Sequence, residues 1–110
     1  MRQYVIDELS TLERDNLDSF LNRSLKSGPM TGIYWLVLPD DLHAQAQQGH
    51  RECGPFYFAV DLGPKQLSVE LLVRSATNLH CTCIAYATPV QRQFVLDFID
   101  RMLDEEQIQA

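Results

Sequence analysis

The chain has 110 residues, is 45% hydrophobic and 22% charged, and carries a formal net charge of −6. That is the length of a single domain, residues 1–110, able to build a core without staples. The acidic balance argues against nucleic acid as a partner, and the longest apolar run, Ile33 to Leu38, is too short to cross a bilayer.

Arg2 to Leu9 has two readings. Tyr4, Val5 and Ile6 favour a short strand, whereas Ile6, Leu9 and Leu12 have helical spacing. The strand is preferred because Ser10-Thr-Leu-Glu13 fits a capping box, which starts a helix at Thr11 and runs it to about Lys26. Leu17, Phe20, Leu21 and Leu25 share one side of that helix, and Lys26-Ser-Gly-Pro29 ends it. The same N-terminal residues lack the apolar stretch of a signal peptide.

Ile33-Tyr-Trp-Leu-Val-Leu38 is apolar on both faces, as an interior strand covered on both sides would be. Asp40 to Gly49 is polar and rich in Ala and Gln. Asp40 or Asp41 could cap a short helix through Gln48, with Gly49 closing it. His50-Arg-Glu-Cys-Gly-Pro55 then leads into the next strand, and this long connection is the best loop for a functional site.

Phe56 to Tyr86 reads as three antiparallel strands. With Gly63 facing Gln66, the rows become Leu62–Leu67, Val60–Val69, Phe58–Leu71 and Phe56–Val73, all apolar and on one face. A second tight turn at Ser75-Ala-Thr-Asn78 would set His80 beside Val73, Thr82 beside Leu71, Ile84 beside Val69 and Tyr86 beside Leu67. The opposite face would then carry Tyr57, Ala59, Asp61, Ser68, Glu70, Leu72, Arg74, Leu79, Cys81, Cys83 and Ala85.

Thr88, Pro89 and Gln91 open the last helix with a T-x-x-Q box. Val90, Phe94, Val95, Phe98, Ile99, Met102 and Leu103 form its apolar stripe. Gln91, Gln93, Asp97, Asp100, Arg101 and Asp104 are expected to face water, with Asp97 and Arg101 as an ion pair. Glu105 and Glu106 oppose the macrodipole, so the tail is expected to fray. The fold class is α+β: a two-layer sandwich of a four- to five-stranded, mainly antiparallel sheet with two helices on one face.

Three cysteines are an odd number, and two of them form Cys-x-Cys, which points to reduced thiols and a cytoplasmic location. Imidazole and thiolate are the donors zinc prefers, so His50, Cys53, His80 and Cys81 are the candidate metal ligands. The derived register brings the first loop and the start of the last strand to one end of the sheet. It also points His80 away from Cys81 and Cys83, and H-x2-C…H-C-x-C is not a finger or ribbon spacing. The plainer alternative is small buried thiols beside a polar histidine. A thiol-dependent enzyme centred on Cys53, with His50 or His80 as base, lacks an orienting group and an oxyanion hole.

The mixed sheet face supplies the ligand or interface candidates Tyr57, Glu70, Leu72, Arg74 and Cys83. Its apolar excess leads to the expectation of a non-catalytic binding module that forms a homodimer, with no membrane or nucleic-acid partner and no cofactor other than zinc. Glycine-rich nucleotide loops, H-E-x-x-H, EF-hand loops and G-x-S-x-G are all absent. Cys-Gly-Pro-Phe-Tyr-Phe and Glu-Leu-Leu-Val-Arg-Ser resemble runs in small bacterial domains, a resemblance that implies no activity.

Overall fold

A computed structural model describes all residues, Met1–Ala110. The elements are β1 (Gln3–Ile6), α1 (Thr11–Ser24), β2 (Lys26–Ser27), β3 (Ile33–Val37), β4 (Phe56–Leu62), β5 (Leu67–Glu70), β6 (Leu72–Ser75), β7 (Ala85–Tyr86) and α2 (Pro89–Glu105). The fold is α+β, with every strand pairing antiparallel. The sheet has seven strands rather than four or five, because several short edge segments pair that the sequence pattern does not mark.

β4 is the spine. Along one side it pairs with β3 over its length, from Ile33↔Asp61 to Val37↔Tyr57, and β2 extends the sheet beyond β3. Along the other side it pairs first with β6 and then with β5. β5 and β6 are one strand interrupted at Leu71, which bonds outward to the edge: its amide donates to the Arg2 carbonyl and its carbonyl accepts from the Ala87 amide, both at 2.9 Å. β1 therefore lines β5 while β7 lines β6.

The first hairpin forms as expected at Leu62↔Leu67 and Val60↔Val69. Past Leu71 the register moves by two residues, so Phe56 pairs with Ser75 instead of Val73. A two-residue slip preserves the facing of every side chain, which is why the apolar face survives it. Phe56, Phe58, Val60, Leu62, Leu67, Val69 and Val73 are all buried in one cluster with Leu17, Phe20 and Leu21 of α1 and Val95, Phe98, Ile99 and Met102 of α2. Both helices thus pack on this inner face. The Phe20 and Phe98 rings lie 6.0 Å apart and tie the two helices to each other.

Both capping boxes are present, at Ser10/Glu13 and Thr88/Gln91. α1 stops at Ser24 rather than Lys26, because Lys26 and Ser27 pair with Trp35 and Tyr34 as β2. β3 is interior, between β2 and β4, but only its Tyr34 and Leu36 side is buried; Val37 is exposed and Trp35 stacks on Tyr57 at 4.2 Å. Asp40 starts a single 3-10 turn (Asp40–Leu42), not a helix to Gln48.

Two positions of α2 exchange roles. Val90 is 64% exposed, whereas Gln91 is 1% exposed. Asp97 accepts from Gln93 at 2.8 Å, and the Arg101 guanidinium lies over the Phe98 ring, so the expected Asp97–Arg101 pair is replaced by these contacts. The tail does not splay: Ile108 is buried, its amide bonds to the Leu103 carbonyl, and Glu106 meets Arg23 at 3.8 Å.

Candidate metal centre

At the end of the sheet where β4 begins and β6 ends, two loops come together. The first carries His50, just before a 3-10 turn (Arg51–Cys53), and Cys53, the last residue of that turn before Gly54. The second runs from Ala76 to Ile84. The tight reversal expected at Ser75–Asn78 does not return the chain as a strand, because the Ser75 hydroxyl oxygen accepts the amides of both Thr77 and Asn78. The loop therefore stays out of the sheet until Ala85, which pairs with Val73 in the position expected for His80.

That longer loop changes the donor set. His50, Cys53, Cys81 and Cys83 offer donor atoms that all lie within 4.8 Å of one another. His80 is outside this group: it is exposed, and its amide bonds to Asn78 Oδ1. Cys83 takes the place expected of His80. An alternating strand would separate Cys81 and Cys83 by a row along the sheet, whereas the turns at Leu79–His80 and Thr82–Cys83 bring both sulfurs inward. The Cys81 Sγ lies 3.2 Å from His50 Nδ1.

The thiols are electrostatically distinct. Hydrogen bonds from Cys83, its backbone amide first, hold the Cys81 thiol down to about 7. Burial pushes Cys83 up to about 12 and raises Cys53 as well. Cys53 is 4% exposed, so it is neither accessible nor activated, and a nucleophile centred on it has no support in the geometry. The thiol with a depressed pKa, Cys81, is the half-exposed one.

Around tetrahedral zinc, bonds of about 2.0–2.3 Å place neighbouring donors roughly 3.4–3.8 Å apart. Donors already within 4.8 Å need to close by no more than about an ångström to reach that arrangement. Three thiolates and one imidazole are a donor set for zinc, and oxygen-seeking cations such as calcium and magnesium do not match it.

The remaining candidates lie elsewhere. Tyr57 is buried under Trp35 on the outer sheet face. Glu70 and Arg74 form a two-point ion pair at 2.8 and 3.1 Å, which satisfies both groups locally. Leu72 is half-buried beside them. No helix is long and apolar enough to cross a membrane. Comparison of the chain with protein-family models, curated proteins and solved structures finds no match in any of the three.

Proposed function

We propose that this chain is a small, non-catalytic metal-binding domain in which His50, Cys53, Cys81 and Cys83 hold one zinc ion. The convergence of these four donors within 4.8 Å, from two loops separated by the whole central hairpin, is the observation that carries the reading. Four protein donors complete a tetrahedron and leave no position for a water or substrate, which is the pattern of structural zinc. Two of the four, Cys53 and Cys83, are buried, as suits a site closed to solvent. Thiolate ligation also calls for a reducing compartment, consistent with a cytoplasmic setting.

Protein purified without a histidine tag should carry one zinc per chain by elemental analysis; a stoichiometry near zero after zinc reconstitution overturns the reading. Zinc uptake should also be strongly pH-dependent. At neutral pH Cys53 and Cys83 hold their protons and Cys81 is about half ionised, so roughly two to three protons leave as the ion binds. Affinity, measured against a chromophoric chelator, should fall by about a hundredfold or more for each pH unit below 7.

A homodimer is a second and compatible reading, favoured by the outer sheet face. Val37 is 42% exposed there, paired with Tyr57 of the Trp35–Tyr57 stack. Because Glu70 and Arg74 neutralise each other within one chain, a second copy can cover this strip without burying their charges unpaired. Light scattering coupled to size exclusion should give twice the chain mass at micromolar concentration; a strict monomer removes this reading.

A further inference from the structure

The four donors sit on two loops, and each loop is anchored by a buried polar side chain that is not itself a donor. Gln47, 2% exposed, donates through Nε2 to the Cys83 carbonyl at 2.7 Å. Its Oε1 accepts from the Ala44 amide at 2.9 Å and from Gln91 Nε2 at 3.1 Å. Gln91 is fixed in turn: its Oε1 caps α2 by accepting the Thr88 amide, and its Nε2 also reaches the Leu42 carbonyl at 3.0 Å. A continuous line of amides therefore runs from the start of α2 to the backbone of one candidate ligand.

The other loop is held in the same manner. Ser75, 1% exposed at the end of β6, donates its hydroxyl to the Cys53 carbonyl, and Thr77 Oγ1 donates to the Glu52 carbonyl at 3.0 Å. Since Ser75 also takes the Thr77 and Asn78 amides, one hydroxyl joins the loop of Cys53 to the loop of Cys81 and Cys83. A carbonyl fixed in this way sets its peptide plane, and with it the position from which the cysteine side chain projects. Buried polar side chains are kept only where their hydrogen bonds are met, and every one here is.

We propose that Gln47 and Ser75 are positioning residues of the metal centre: by holding the carbonyls of Cys83 and Cys53 they keep both cysteine loops in ligating arrangement before the ion arrives. The inference rests on the zinc reading above and adds what prepares the site. Outer residues that orient ligands are typically worth about 10–100-fold in metal affinity.

The test uses the full chain, stripped of metal and titrated with zinc against a chromophoric chelator, and with Co²⁺ followed by its visible absorption. Gln47→Met, which keeps length and loses the donor, and Ser75→Ala should each bind zinc about 10–100-fold more weakly and shift or weaken the Co²⁺ bands. Leu17→Ala, a core change in α1, which carries none of these hydrogen bonds, should lower stability and leave both readouts unchanged. Metal-free wild type should keep its far-ultraviolet circular dichroism. If Gln47→Met does not fold, Ser75→Ala, which removes a single oxygen, decides alone. Wild-type affinity in both site variants, or an equal loss in Leu17→Ala, overturns the proposal and leaves the zinc reading standing. Failure of the wild-type chain to take up zinc overturns both.

Discussion

Cys83→Ser should abolish tight zinc binding, and His80→Ala should leave it intact. The contrast is informative because the two residues lie three apart and an alternating strand would favour the opposite result. Cys83 is fully buried within the donor cluster, and serine replaces a thiolate with a hydroxyl that stays protonated at neutral pH. Three donors then remain, and a site of that kind opens to water instead of closing on the ion. His80 lies outside the cluster on the exposed turn, so the proposed coordination does not involve its imidazole. Chelator competition on the two variants, with wild type alongside, reads the result directly. Undiminished affinity in Cys83→Ser, or a loss in His80→Ala, would show that the loop binds metal in another arrangement or not at all.

Much of the fold is visible in local chemistry. The two capping boxes, the Gly63–Gln66 reversal and the β4–β5 rows follow from residue types within a few positions of one another, so period and turn signals reach them. The bulge at Leu71 escapes the pattern because a two-residue shift leaves the alternation untouched. Beyond Ser75 the pattern misleads. Leu79, Cys81 and Cys83 alternate as a strand would, yet Ser75 Oγ captures two successive amides and diverts the chain. By residue type Cys83 is as good a ligand as Cys81; only a strand through both, which sets Cys83 a row further in, excludes it. Gln47 and Gln91 are the hardest to foresee. Each looks like an ordinary surface glutamine, and only the meeting of the 39–49 loop with α2 buries them together.

The largest effect on stability should come from Phe58→Ala. Phe58 is fully buried at the centre of β4, opposite Leu36 of β3 and 6.4 Å, ring to ring, from Phe94 of α2. Removing it leaves a cavity between sheet and helix that neither backbone can close, and such truncations cost about 3–5 kcal/mol. Against a total of roughly 5–15 kcal/mol that is a large share of what holds the domain folded. Urea unfolding should show a lower midpoint with an unchanged slope, since the surface exposed on unfolding stays nearly the same. Val90→Ala supplies the opposing case. Its heptad-like spacing assigns Val90 to the buried stripe of α2, where truncation would be expensive, but the residue is 64% exposed next to the cap. The change should therefore fall within about 0.5 kcal/mol of wild type, with alanine's better helix propensity offsetting what little packing is lost. A Val90→Ala cost comparable to that of Phe58→Ala would mean that α2 is rotated on the sheet, and with it Gln91 would leave the polar line that reaches Cys83.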